Sequence, residues 1–184
     1  MGYDNQFVQT GAQSDIGENL TTNIKDSYRM GTELSAGIAP LPWLSIEGNA
    51  ALSRNRINDF DEYVENWDTG QFDAVHHDHS TLSFSPSTIL NGFIDFHYKG
   101  FQGVWHTNFV SRQYLDNSEN ADRSLPCYSA TDISLRYTLG LKKLNAGIKE
   151  AVFGLNFNNI FNRHYAAGGW VYSAISGEKY TMDN

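Results

Sequence analysis

The sequence predicts an all-β chain, an antiparallel up-and-down meander of about seven strands. Apolar and polar side chains alternate with period two through one segment after another, Gly, Pro and Asn punctuate those segments, and the connections alternate between short and long. Aromatic residues make up 14% of the 184 residues against 18% charged, and sixteen Gly accompany four Pro, a balance that suits strands and turns better than a helical bundle.

An opening strand is expected over residues 4–10. Further on, Tyr28, Met30, Thr32, Leu34, Ala36 and Ile38 share one face, with Arg29, Gly31, Glu33, Ser35 and Gly37 on the other. Beyond Pro40-Leu41-Pro42, Leu44, Ile46, Gly48, Ala50 and Leu52 oppose Ser45, Glu47, Asn49, Ala51 and Ser53, so two long strands make a hairpin. A second hairpin turns at Lys99-Gly100. It sets Leu90, Gly92, Ile94, Phe96 and Tyr98 beside Phe101, Gly103, Trp105, Thr107 and Phe109. A third pairs Thr131, Ile133, Leu135 and Tyr137 with Phe153, Leu155 and Phe157.

Short connections are expected at residues 40–43, 98–100 and 139–149, and long ones at 11–26, 58–86, 116–128 and from 162 onward. Every second connection is long, so the long loops emerge at one end of the sheet and the tight turns at the other. Outer-membrane β-barrels have this polarity, with short periplasmic turns and long extracellular loops. Several segments reach the roughly nine to eleven residues needed to cross a bilayer, against about five or six in ordinary strands. The polar faces carry Arg29, Glu33, Glu47, Asp95, Asp132 and Arg136 in mid-strand, where a small soluble barrel needs an apolar interior and a wide or plugged lumen does not. Tyr28, Trp43, Tyr98, Phe101, Tyr114, Tyr128, Tyr137 and Tyr165 fall near segment ends, where interfacial girdles belong. The expectation is therefore part of a large transmembrane β-barrel, an open curved sheet if isolated. The alternative is a soluble ligand- or carbohydrate-binding β-barrel or sandwich.

Other classes are excluded. No apolar run approaches the roughly twenty residues of a transmembrane helix. Met1, Gly2 and Tyr3 lead into Asp4 and Asn5 without the basic and apolar regions of a signal peptide, as expected of a cytoplasmic chain or one that begins within a longer chain. A formal charge of -8 argues against nucleic acid. Cys127 is alone, so it forms no intramolecular disulfide and reads as an ordinary loop residue. Ser, His and Asp show no nucleophile elbow, and Gly168-Gly169 lacks the Lys of a phosphate loop. No catalytic residue and no cofactor is expected, and the chain is not read as an enzyme.

Candidate ligand-binding residues lie in the long loops. His76, His77 and His79, with Asp78 between them, sit in a segment that also carries Asp59, Asp61, Glu62, Glu65, Asp68 and Asp73. This reads first as a solvated acidic loop, because adjacent histidines converge on one ion only on a rigid scaffold, and second as a divalent-metal site. Trp67, Trp170 and Tyr172 are candidates for stacking on a sugar or an aromatic ligand, or for covering the rim.

Phe153-Gly154-Leu155-Asn156-Phe157-Asn158-Asn159-Ile160-Phe161-Asn162-Arg163-His164-Tyr165 resembles the strand that ends in Asn-Asn-(Leu/Ile)-Phe-Asn-x-x-Tyr just before the last strand of TonB-dependent receptors. Also similar to that family, especially its Bacteroidetes-type members, are Asp26-Ser27-Tyr28-Arg29-Met30-Gly31-Thr32-Glu33-Leu34, Leu52-Ser53-Arg54-Asn55, Leu82-Ser83-Phe84-Ser85-Pro86 and Ser111-Arg112-Gln113-Tyr114-Leu115-Asp116-Asn117. The Asn159-Ile160-Phe161-Asn162 step suggests a strand leaving the bilayer through a bulge or turn. The resemblance implies that residues 1–184 are a partial barrel domain, without the plug, the TonB-contacting segment or the final strand of a receptor of about 22 strands. It further implies a parent in the bacterial outer membrane that takes up a scarce nutrient (a chelated metal, a cofactor or a glycan). Its partners would be the remaining barrel and plug, the TonB complex, the extracellular ligand and membrane lipid.

Overall fold

A computed structural model describes residues 2–13, 18–141, 147–177 and 179–183. Its strands are β1 (Gly2–Gln13), β2 (Asn19–Leu41), β3 (Leu44–Ile57), β4 (Phe60–Asn66), β5 (Gln71–His77), β6 (Ser80–Thr81), β7 (Thr88–Tyr98), β8 (Phe101–Val110), β9 (Gln113–Tyr114), β10 (Ser124–Leu125), β11 (Tyr128–Gly140), β12 (Glu150–Phe157), β13 (Tyr172–Ser176) and β14 (Lys179–Asp183). A 3-10 turn, Ala121–Arg123, precedes β10. Seven strands in the order β1-β2-β3-β7-β8-β11-β12 form an antiparallel meander curled into a half-barrel, with β6 paired to the end of β3.

Register makes the alternation two-dimensional. Ile38, Ile46, Ile94, Trp105, Ile133 and Phe157 are direct neighbours across six strands. One step toward the tight turns lies the row Leu44, Phe96, Gly103, Leu135 and Leu155, and beyond it the aromatic row Tyr98, Phe101, Tyr137 and Phe153. The Trp43 ring meets Phe96 edge-on at 5.4 Å, and the Lys99 ammonium lies 5.1 Å from the centre of the Tyr98 ring. Polar residues line up on the opposite face: Ser35, Asn49, Asn91 and Asn108 in one row, Glu47, Phe93, His106 and Asp132 in the next. Asn91 donates to Asn49 Oδ1 at 3.0 Å and its own Oδ1 lies 3.2 Å from His106 Nε2, while Phe93 stacks on the His106 ring at 4.5 Å. A curled sheet shields its inner side chains. In β7 and β8, Asn91, Phe93, Asp95, His106 and Asn108 are half-buried whereas Leu90, Ile94, Phe96, Tyr98 and Trp105 are exposed, which marks the polar face as the inner one in the middle of the sheet, while Glu47, Asn49, Ser134 and Arg136 of the same face are exposed.

Two of the three short connections fall where expected, residues 42–43 joining β2 to β3 and Lys99, at φ 54°, with Gly100 joining β7 to β8, while residues 142–146 of the third, expected at 139–149, lie outside the described residues. A Cβ on Gly100 would stand 2.3 Å from the Thr138 carbonyl oxygen, so the close approach of this turn to β11 requires glycine. After β12 the chain turns at Asn159 and Asn162, both with positive φ, the Asx-rich step expected there. Asn159 N–H donates to Asp132 Oδ1 at 2.7 Å, and Phe161 packs edge-on against Trp105.

Three of the expected loops are corrected. Residues 11–13 and 19–26 belong to β1 and β2, which pair beyond the rest of the meander, so the long loop expected there is mostly strand. Residues 58–86 contain the hairpin β4–β5, and the segment beyond 162 contains β13 and β14. Together these form a second, four-stranded sheet in the order β14-β13-β4-β5, with β13 parallel to β4. Tertiary contacts overrode the turn-rich composition of these segments. The main core lies where the two sheets meet: Val8, Ile24, Ile57, Phe60 and Leu82 are buried together, and Leu115, Leu125 and Val171 form a second cluster.

Candidate functional site

Two features are candidates: the apolar face of the half-barrel, and the loop sheet above it. On the apolar face Leu34 is 60% exposed, Ile46 42%, Ile94 44% and Leu155 62%, with Leu135 half-buried. These side chains point outward and are not gathered into a core. Thr107 and Thr131, the polar side chains in the middle of this face, bond to each other at 2.9 Å, and Trp105 Nε1 donates to Thr107 Oγ1 at 2.9 Å, so their hydroxyls are satisfied within the face.

In the loop sheet, β4 alternates strictly. Phe60, Glu62 and Val64 are buried, while Asp61 and Tyr63 are exposed. Its turn to β5 is set by Asn66, whose Oδ1 accepts from the N–H of Asp68 (3.0 Å) and Thr69 (3.3 Å), and by Gly70 at φ 66°.

The inward face of this sheet is held by a buried charge cluster. Arg123, 1% exposed, donates to Glu62 Oε1 at 2.8 Å and to Asp116 Oδ2 at 2.6 Å. Burial works against its charge, but the hydrogen bonds it donates to Glu62 and Asp116 outweigh it and hold the guanidinium pKa above its ordinary value. Ser173 Oγ donates to Glu62 at 3.2 Å, and His77 Nε2 lies 3.1 Å from the other Glu62 oxygen, its ring stacked on Phe60. Glu62 thus ties β4, β5, β13 and the segment between β9 and β10 together. An Arg56–Glu119 ion pair links that segment to the end of β3. Asn117, fully buried, accepts from Ser83 N–H at 2.9 Å.

Of the six candidate residues, the structure joins Trp67 to Tyr172 and separates the histidines. Trp67 Nε1 donates to Tyr172 OH at 3.1 Å with the rings 5.9 Å apart, and Tyr172 OH donates to Glu65 at 2.8 Å, which raises the phenol pKa. Trp170 is exposed, two residues before Tyr172. His76 and His77 are neighbours in a strand and so face opposite ways, His77 inward to Glu62 and His76 outward, and His79 is exposed in the bend that follows. His76 Nδ1 lies 2.8 Å from Asp61 Oδ1 and 3.8 Å from Asp59 Oδ1, and its Nε2 is 3.3 Å from Asp78 Oδ1. The Asp61 hydrogen bond, with the nearby Asp59 and Asp78 carboxylates, raises the His76 pKa. Arg123 had no motif to reveal it and Asp116 stood out only as part of the Ser111–Asn117 resemblance, whereas the Phe60-x-Glu62-x-Val64 alternation was a readable strand signal inside an acidic segment. Comparison with known protein families, curated proteins and solved structures finds no match.

Proposed function

We propose that the chain forms part of the wall and extracellular cap of a bacterial outer-membrane β-barrel of the TonB-dependent receptor type, which takes up a scarce nutrient such as a chelated metal, a cofactor or a glycan. The observation that carries this reading is the set of in-register apolar rows exposed across six strands, backed by a polar inner face. A soluble barrel or sandwich buries that face. The dimensions fit as well: Met30 to Leu41 spans ~36 Å along β2, or ~26 Å across a bilayer at a ~45° tilt, close to the apolar band of such barrels. In this reading the tight turns are periplasmic, and the aromatic row of Tyr98, Phe101, Tyr137 and Phe153 marks that interface. The free edges of β1 and β12 join the remaining strands of the wall, and the loop sheet with Trp67, Tyr172 and Trp170 contributes to ligand capture. Energy coupling belongs to the parent receptor, its plug and the TonB complex. The chain itself performs no covalent chemistry.

The four tryptophans test this directly. Single-tryptophan variants are inserted into phosphatidylcholine vesicles containing lipids brominated along their acyl chains. Trp105 is quenched most strongly by lipids brominated deep in the chain, Trp43 by those brominated near the headgroup, and Trp67 and Trp170 by aqueous iodide. Iodide quenching of Trp105 with no response to any bromolipid refutes the membrane assignment and favours the soluble ligand-binding barrel.

A further inference from the structure

At the base of the β4–β5 hairpin, Asp59, Asp61, His76 and Asp78 share the outward face. Carboxylates alone would make only a solvated acidic patch. What sets this group apart is an imidazole fixed between them, with each ring nitrogen directed at a carboxylate. If Nε2 carries the proton and donates to Asp78, the Nδ1 lone pair faces two anionic oxygens. That arrangement is repulsive until a proton or a metal cation stands between them. A carboxylate accepting the second ring N–H is also the usual companion of a metal-bound histidine, fixing its tautomer and orientation.

We propose that Asp59, Asp61 and His76 bind a first-row divalent transition ion, of the zinc or manganese class, with Asp78 as a positioning residue. The donor atoms lie within 4.8 Å of one another, and two of the separations are 2.8 and 3.8 Å. Two ligands at about 2.1 Å from one ion stand roughly 3–3.5 Å apart, so the site closes with small side-chain rotations. Mixed imidazole and carboxylate donors without a thiolate suit these ions better than calcium, which takes an all-oxygen shell, and water completes the coordination. Asp61 and His76 stand on β4 and β5, with Asp59 and Asp78 in the bends that flank them. Asp61 and His76 are cross-strand partners, and the other face of the same hairpin is anchored through Phe60, Glu62 and Val64 and through His77 on Glu62. An ion here clips the entry and exit of the hairpin together. The site stands outside the half-barrel wall, so it does not depend on the membrane assignment.

The test is calorimetric titration of the full chain with Zn²⁺ alone, and with Mn²⁺ alone followed by electron paramagnetic resonance. The expected result is one strong site per chain. His76→Ala and Asp61→Asn each weaken it at least about tenfold, Asp78→Asn weakens it about tenfold through loss of orientation, and His79→Ala binds as the unaltered chain does. Circular dichroism checks that each variant keeps its strands. For any that does not, selective broadening of the His76 imidazole signals by Mn²⁺ in the unaltered chain gives the same answer without mutation. Unchanged affinity in His76→Ala, no uptake at millimolar ion, or broadening of His79 in preference to His76 overturns the proposal.

Discussion

Replacing Ile94 by Arg separates a lipid-facing wall from a water-facing one. Ile94 lies in the middle of β7, between Ile46 and Trp105 in the longest apolar row, and is 44% exposed. If that exposure is to hydrocarbon, an arginine near the bilayer midplane costs ~2–4 kcal/mol, and roughly 30- to 700-fold in the folding equilibrium. If the exposure is to water, the same change stays within about 0.5 kcal/mol, as surface substitutions do. Ser134→Arg supplies the control: Ser134 pairs with Val104 and Asn156 on the polar face, next to Ile133 of the same apolar row, so its arginine faces the inner side and costs less than about 1 kcal/mol. Guanidinium unfolding in phosphatidylcholine vesicles, followed by tryptophan emission, measures both. Equal midpoints for Ile94→Arg and Ser134→Arg would refute the assignment of the two faces.

Arg123→Met leaves Glu62 and Asp116 buried without their guanidinium, at a cost of ~3–5 kcal/mol to the loop sheet, seen as early protease cleavage around β9 and β10. Adding Glu62→Gln and Asp116→Asn restores part of that resistance if unpaired charge is the cause. Gly100→Ala drives a methyl into the Thr138 carbonyl and destabilises the β7–β8 turn by ~1–3 kcal/mol, whereas Gly92→Ala, with open space at its Cβ, stays within about 0.5 kcal/mol in the same melt. Cys127 is exposed between β10 and β11 on the long-connection side, so a membrane-impermeant maleimide labels it completely when added outside vesicles that hold the chain with its loops outward. Protection of Cys127 in those vesicles would refute its place on the long-connection side.

The wall was legible because its signal is redundant. Each strand of the meander repeats the same alternation over ten or so residues, and a one-residue slip would send every Ile and Leu of that strand to the wrong face, so pattern and register fix each other. The Asn159–Asn162 exit was legible for a local reason: asparagine tolerates positive φ and bonds its own backbone. The loop sheet lacked both kinds of signal. β4 and β5 are short, their exposed face is rich in Asp and His, and the parallel contact of β13 with β4 (Ala174 beside Glu65) joins segments more than a hundred residues apart, for which no local pattern exists. Strand alternation turns His76 and His77 to opposite faces, a division that reading residues 58–86 as a loop did not anticipate. That reading also overlooked the cross-strand partner, since Asp61 meets His76 only once the hairpin has formed.

The cap is not a loose set of loops. β3 runs straight out of the wall, and Ile57 and Phe60, separated by two residues, both enter the cluster formed with Val8, Ile24 and Leu82. The Glu62–Arg123–Asp116 cluster then draws in the connection between β8 and β11, and Tyr172 draws in the segment after β12 through Glu65 and Trp67. Connections from three different places in the meander therefore share one small structure whose position is set by the wall beneath it. A site on its outer face has its central side chains on strands, Tyr172 on β13 for the Trp67–Tyr172 pair and Asp61 and His76 on β4 and β5 for the other group, with Trp67, Asp59 and Asp78 in the adjoining turn and bends, and the strand-borne members lose less entropy on binding than side chains of a free loop would.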